Sequence, residues 1–597
     1  PCDDDDHGTH TIGTVLGSWA ILTRDIASNY LGTAPAEATL EFEGGVSDEV
    51  LTRARADQAV SVADRREAIA GRVRVGDDFR PLLLFVPERF ETMRLNTFRP
   101  LDGAWPPPAG TVLLERSGLE MANATMSSSL RVKLPNGRPS TVTVSGLVHD
   151  PGLAPAWQER TVYAYATPET VAMLGESPTL HELRVQFASH PRTVVEAENE
   201  ASALAARLGG VHQLRVPPPR QHPHQRQMET ILLLLLIFAG LSLVLSSVLV
   251  ATTLAAILAR QVREIGVMKS IGATRAQLAG MYAVMVGSIC GVAVLLAAPL
   301  SMLGAFGLSR VVSTMLNFDL TSRALPWWVL LVLVVAGVLV PLLFAAIPIR
   351  RAVTIPVRAA LDTWGVGERI IVRPWFPVAV RNLLRRPGRL ALTVGLLATA
   401  GALFMTALAV SRAWERNLEK VKETRHYDLE VRFNTPAPDA LATTLQQTVE
   451  GVRLIEPWGF EPAALARPGA IDVVRTYPDR GHGSFSVLAP PPSTTLISLP
   501  LLQGRWLASG ERAVVLNHVA FLQARTLKVG DDVALSIDGV PSTWKLAGVV
   551  EEVGSAGVAY LPSDVFASSQ STQGRSRLWR VVTAGRDDLE RATVIRR

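Results

Sequence analysis

Residues 231–259, 281–309, 326–349 and 390–411 form four runs without a single Asp, Glu, Lys or Arg. A helix of about 20 apolar residues crosses a bilayer, so each run predicts a transmembrane helix. Four such runs exclude a purely cytosolic protein. The remaining sequence falls into a block at 16–229 and another at 412–597, each long enough for one or two ordinary domains. In the first block, residues 131–148 alternate in polarity on either side of Asn136-Gly137, a β-hairpin pattern. Residues 189–208 place Ala and Leu at helical spacing, and Pro217, Pro218 and Pro219 stiffen the approach to the first span. Both blocks read as mixed α and β.

The two blocks also resemble each other. Gly137, Pro139, Ser140, Thr141, Gly146, Val148 and Gly152 recur at an offset of 402, and LDGAW at 101–105 pairs with LQGRW at 502–506 at 401. Self-similarity of this kind marks a repeat. The expected fold class is an integral membrane protein, with an α-helical transmembrane bundle (four helices) and two α+β extracytoplasmic domains related by internal duplication. The same offset sets the counterpart of span 390–411 at about −12 to 9, and those of the three central spans beyond 597. The chain is therefore expected to be the middle of an eight-span protein, without one span at the front and three at the back. The expected domains are a tail at 1–15, an extracytoplasmic domain at 16–229 and a three-helix permease domain at 230–349 with a loop at 260–280. A linker at 350–388, a fourth span at 389–411 and a truncated second extracytoplasmic domain at 412–597 follow.

Charge orients these elements. The chain carries a formal charge of +5, which could suggest nucleic acid, but its placement favours a membrane role. Short basic loops stay cytoplasmic. The 260–280 loop holds Arg260, Arg263, Lys269 and Arg275 against Glu264 alone, and 350–389 holds nine arginines against Asp362 and Glu368. The intervening 310–325 loop has Arg310 and Arg323 against Asp319. The two basic loops are thus expected inside, and the neutral loop and both large blocks outside. Two cysteines, Cys2 and Cys290, provide no disulfide framework.

The most informative loop is 263–278. Val262, Ile265, Met268 and Ile271 recur every three residues, which reads as an apolar stripe on a short helix. Gly272 can end that helix in the left-handed conformation, and Thr274 with Gln277 makes a capping box for the next. Such a helix could lie passively at the interface or fit a groove on a cytoplasmic partner. Its residues, Arg263-Glu264-Ile265-Gly266 through Lys269-Ser270-Ile271-Gly272-Ala273-Thr274, resemble the conserved loop of the FtsX/MacB/LolC-like permeases of ABC transporters. Segments 348–361 and 381–389 resemble that family's second cytoplasmic element and its lead-in to a new repeat. The resemblance covers about residues 16–597. It implies that Arg263, Glu264, Ile265, Gly266, Lys269, Gly272 and Ala273 form a coupling contact with a separate ABC ATPase, and that the outer blocks are MacB-like periplasmic domains.

No Gly-x-x-x-x-Gly-Lys-Ser/Thr loop occurs in the chain, so P-loop binding of ATP is not expected here. The spans also lack the intramembrane charges of ion-coupled carriers. The expected function is a permease subunit, not an enzyme and without its own cofactor, in which the partner's ATP hydrolysis moves the extracytoplasmic domains. Export, lipoprotein release and mechanotransmission all fit; the alternative is a non-transporting scaffold that activates a cell-wall hydrolase or sensor kinase. Membrane lipid and a periplasmic adaptor or lipoprotein are further partners under this reading, nucleic acid is not, and the location is the inner (cytoplasmic) membrane, multi-pass. Gly287 and Gly291 form a weak GxxxG packing signal. Residues 7–14 resemble the histidine segment of subtilisin-like proteases with His7 as base, but no matching serine motif follows, so a fusion or gene-boundary artefact is expected. Asp3 to Asp6 and the His222/His224 pair are read as solvated or structural rather than metal-binding.

Overall fold

The computed structural model describes residues 6–222, 225–322, 324–361, 387–465, 473–474, 485–523, 527–537, 540–585 and 587–596. The chain divides into two compact units: Pro1–Ile26 with His224–Trp414, and Ala27–Pro223 with Glu415–Arg597.

The first unit is helical. It contains α1 (Asp6–Gly32), α2 (Gln225–Arg260), α3 (Val262–Ser270), α4 (Arg275–Met315), α5 (Trp327–Thr354), α6 (Val357–Leu361) and α7 (Pro387–Thr424), of which α1 and α7 continue into the second unit. By length and composition α2, α4, α5 and α7 can each cross a membrane, and each contains one of the uncharged runs. The protein is a membrane protein. Leu254 and Leu258 of α2, Tyr282 and Val286 of α4, and Ala345 and Ile349 of α5 share one core. Other apolar side chains face outward, among them Leu295 at 75% and Leu343 at 61% exposure, an arrangement that only a lipid solvent favours.

The N-terminal segment departs from expectation. Instead of a tail ending at residue 15, α1 is one continuous helix, and it packs inside the bundle. Ile12 and Val15 bury against Ala239 and Leu243 of α2, while Leu22 and Ile26 meet Met228, Leu232 and Phe318. Small residues allow close approach to α4: a Cβ on Gly13 would lie 2.6 Å from Ser301 Oγ, and one on Gly17 2.8 Å from Ala305 Cβ. Ser309 donates to Ser18 at 3.1 Å. At the end of this contact Arg24 donates to the carbonyls of Ser322 (2.7 Å) and Ala324 (2.9 Å), and buried Asp25 accepts from the Thr321 amide and hydroxyl at 3.0 and 2.8 Å. Because α1 packs through Gly, Ser and Thr, its sequence never builds a uniformly apolar run. His7 and His10 fall in its first turns; their side chains, like residues 1–5, lie outside the described residues. By contrast, among the described residues a Cβ on Gly287 or Gly291 would meet nothing within 4 Å, so the GxxxG signal marks no close contact between the described helices.

The second unit holds two α+β regions. The first contains β1 (Ala38–Glu41), β2 (Val60–Val75), β3 (Asp78–Pro87), β4 (Arg99–Gly103), β5 (Thr111–Glu115), β6 (Ser129–Lys133), β7 (Pro139–His149), β8 (Val162–Tyr165), β9 (Glu182–Phe187) and β10 (Gln213–Arg215). The second contains β11 (Leu429–Pro438), β12 (Val452–Leu465), β13 (Val473–Val474), β14 (Phe485–Ala489), β15 (Leu501–Gly504), β16 (Ala513–Asn517), β17 (Asp532–Ile537), β18 (Val540–Val550), β19 (Gly557–Tyr560) and β20 (Arg575–Thr583). The first sheet runs β13-β10-β1-β9-β2-β3-β8-β5-β7-β4 with β6 bridging β2 and β7, the short β13 of the second region pairing in parallel with β10; the second runs β11-β20-β12-β14-β19-β16-β18-β15 with β17 bridging β12 and β18. From β1 and from β11 onward the two paths follow the same order, while β10 and β13 have no counterpart in the second sheet. Along the shared stretch the parallel pairs also coincide: β3·β8 and β5·β7 in one, β14·β19 and β16·β18 in the other.

The repeated motifs have a steric reason. Gly103 and Gly504 adopt φ of +88° and +72°, where a Cβ would strike the carbonyls of Ser145 and Ala547. Their cross-strand partners are Gly146 and Gly548. The tryptophan two residues on anchors each turn, Trp105 against Phe90 and Phe98 (5.2 and 5.5 Å between ring centres) and Trp506 against Tyr560 (5.4 Å). The expected hairpin is β6–β7, with Gly137 at φ +74°, and the helix expected at 189–208 spans Val194–Leu208 behind a Thr193/Glu196 capping box.

The helices before the two sheets are related by a smaller offset than the repeated motifs. β1 begins at Ala38 and β11 at Leu429, while α1 ends at Gly32 and α7 at Thr424. Thus α1 occupies the position before the first sheet that α7 occupies before the second. The offset of 402 misses this because the connection from β12 to β14 is longer than that from β2 to β3.

Candidate functional site

The loop between α2 and α4 folds as a short helix with two unlike faces. α3 starts directly after α2 and ends at Ser270, just before Gly272, whose φ is +104°. Thr274 then caps α4: its hydroxyl accepts from the Gln277 amide at 3.2 Å, and Gln277 Oε1 accepts from the Thr274 amide at 2.9 Å. Both the stop and the restart are those the sequence pattern predicts.

The inward face of α3 is fixed within the permease unit. Ile265 is 1% exposed and joins the core made with α2, α4 and α5. Gly266 lies against α6, where a Cβ would sit 2.8 Å from Ala360 Cβ. One turn further on, Lys269 Nζ donates to the carbonyls of Val353 and Ile355, each at 2.6 Å. Those carbonyls belong to the end of α5, where unpaired C=O groups and the helix dipole favour a cation. Burial holds the Lys269 ammonium below its ordinary pKa, and Arg275 adds in the same direction.

Arg263, Glu264, Val267, Ser270, Ile271 and Gly272 are exposed, with Val267 at 47% and Ile271 at 81%. Ala273 is half-buried against the same core as Ile265. The structure therefore separates the seven residues singled out in sequence. Ile265, Gly266 and Lys269 hold the helix in place, whereas Arg263, Glu264 and Gly272 are open to a partner. The stripe of every third residue is also corrected. An α-helix turns about 100° per residue, so steps of three drift by about 60° each, and Val262 and Ile271 end on opposite sides. Val267 is the exposed apolar residue that the stripe did not single out, and Ile271, which the stripe placed with the packed residues, is exposed instead; a helical-wheel count at 3.6 would have set both apart from Ile265.

The second cytoplasmic element expected at 348–361 is the end of α5 with α6, the surface on which α3 rests. The lead-in expected at 381–389 lies almost wholly outside the described residues. Among the described residues no group of three His, Cys, Asp or Glu is placed to hold a metal. His222 is buried edge-on against Tyr30, 5.7 Å between ring centres, and Cys290 is buried in the bundle.

Residues 236–357, which contain α3, most of α2, all of α4 and α5 and the start of α6, match the FtsX-like permease C-terminal family. No curated protein sequence matches the chain. Among solved structures, the chain is similar to the extracellular domain of the noncanonic ABC-type transporter YknZ from Gram-positive bacteria, with 15% identity over 26% of this chain and 77% of that one and a TM-score of 0.20. It is also similar to the periplasmic region of MacB from Actinobacillus actinomycetemcomitans, with 13% identity over 34% of this chain and 97% of that one and a TM-score of 0.23. The chain is thus a membrane protein with a pair of α+β regions, and its central segment, residues 236–357, matches the FtsX-like permease family.

Proposed function

We propose that the chain is the permease subunit of an ABC transporter, and that α3 is the lever through which a separate ATPase moves it. The observation that carries this reading is the division of α3 into an anchored face and an open one. A push on Arg263, Glu264, Val267 and Ile271 would pass through Gly266 and Lys269 to the ends of α5 and α6 without bending the helix. Rigid elements joined by packed side chains transmit displacement in this way. The chain's sequence has no phosphate loop, so ATP acts through the partner, and this subunit holds no cofactor.

The basic residues around α3 favour the cytoplasmic side for it, and hence an extracytoplasmic position for both α+β regions in a multi-pass protein of the cytoplasmic membrane. Internal duplication is supported by the shared strand order of the two sheets and by the equivalent places of α1 and α7 before them. On this reading α1 spans the membrane as the fifth member of the bundle, and lipid covers the outward residues of α4, α5 and α7. ATP-driven movement of the outer regions would then serve export, lipoprotein release or transmission of force to a periplasmic adaptor or lipoprotein.

Reconstitution with an ABC ATPase that co-purifies with the chain tests the lever. Glu264→Lys and Val267→Asp, both on the open face, are expected to reduce stimulation of ATP hydrolysis about tenfold while the bundle's melting temperature is unchanged, since surface substitutions alter stability little. Full stimulation in both variants would reject α3 as the coupling element.

A further inference from the structure

Within the second unit, a cleft of about 690 Å³ opens between the two α+β regions, a size that suits a drug-sized ligand (roughly 300–1,000 Å³). β1, β10 and the residue before β10 supply Glu41, Arg215 and His212; Arg425, Arg432, Phe460 and Arg580 line the cleft from the second region. The floor is built from buried charge. Arg580, 4% exposed, lies 3.8 Å from the ring centre of Trp458 and 4.2 Å from that of Tyr427. Arg215, 5% exposed, reaches Glu41 at 2.9 Å and Glu182 at 2.8 Å.

Hydrogen-bond donors outnumber acceptors here. Four guanidinium groups line the cleft against the carboxylates of Glu41, Glu430 and Glu552. Glu430 is shared by Arg432 (2.8 Å) and Arg580 (3.2 Å), and Glu552 already accepts from Asn517 and Ser555. Arg425 donates to the Ser555 hydroxyl at 3.2 Å rather than to a carboxylate. Among the described residues, Arg215 Nε and Arg580 Nη1 have no hydrogen-bond partner. Guanidinium has five donors and no acceptor, and its fork matches carboxylate and phosphate oxygens. A cationic guest finds no aromatic cage, because Arg580 already covers Tyr427 and Trp458, and Arg432 covers Phe460 at 4.7 Å.

We propose that this cleft binds an amphipathic small-molecule anion, with its oxyanion head on Arg425 and Arg432 and its apolar body along Pro462 and Leu488. The site stands on the second unit alone and does not depend on the role of α3. Carboxylate and phosphate heads share the chemistry, and the probes below distinguish them.

The test uses the full chain in nanodiscs of neutral phosphatidylcholine, titrated with dansylglycine, dansylated ethanolamine phosphate and the uncharged dansylglycinamide. At least one anionic probe should saturate and bind about tenfold more tightly than the amide, weakening as salt is raised. Whichever anion binds more tightly identifies the head group. Arg425→Ala and Arg432→Ala should each weaken that probe about tenfold, while Arg131→Ala on β6 leaves it unchanged. The comparison of anion with amide uses the wild-type chain, so a variant that folds poorly cannot rescue or sink the proposal. Equal affinity for anion and amide, no saturable binding of either anion up to about 1 mM, or well-folded arginine variants of unchanged affinity would each overturn it.

Discussion

Lys269 lies on the helix that sequence assigns to a partner, yet its ammonium caps the end of α5 in the same subunit. Lys269→Met should leave those two carbonyls without their donor and destabilise the bundle by about 1–3 kcal/mol, read as a lower melting temperature in nanodiscs; Lys269→Arg should recover part of it. Gly266 is constrained differently. A leucine there would drive into Ala360, and overpacking of this kind costs about 1–3 kcal/mol, so Gly266→Leu should lower both melting temperature and ATPase stimulation. In the first α+β region, burial holds the Asp150 carboxyl above its usual value of 3.8 despite the Tyr165 hydrogen bond and Arg66. The folded chain therefore keeps this proton to higher pH than the unfolded chain. Its stabilising contribution is fully present below 3.8 and is lost as pH rises through the folded value. Asp150→Asn should flatten that portion of the melting temperature's pH profile.

Among the elements, α1 changes the picture most. It is tied to the turn between α4 and α5 by Arg24 and Asp25, and to α4 by Gly13, Gly17 and Ser18. Asp25→Ala removes the acceptor for the Thr321 amide and hydroxyl and should release that turn. A cysteine placed at Ser322 in a background without Cys2 and Cys290 should then react faster with maleimide, whereas an unchanged rate would mean the clasp holds nothing. The short α3 owes its position to α5 and α6 rather than to its own propensity, since nine residues are too few for a stable isolated helix.

Across the whole molecule, the proposed topology makes a two-sided prediction. A cysteine at Ile271 should be labelled by an impermeant reagent only from the cytoplasmic side, and one at Ser322 only from the other; labelling of both from one side would discard the arrangement. Sequence alone determined the four long apolar helices, since uncharged runs of this length are long enough to cross a bilayer. It also determined the hairpin at Asn136-Gly137, the Gly272 stop and the Thr274 cap, because each depends on residues a few positions apart. The likeness in strand order of the two α+β regions was legible in part, at the glycines where a Cβ would strike a carbonyl. Tertiary structure alone decided the rest. α1 was hidden because a helix that packs through Gly, Ser and Thr lacks a uniform apolar run. The two faces of α3 were set by Ala360 and by the α5 carbonyls, which lie more than 80 residues away in the chain. Local patterns record what neighbours along the chain require, and a helix's buried face depends on partners that only folding brings near it.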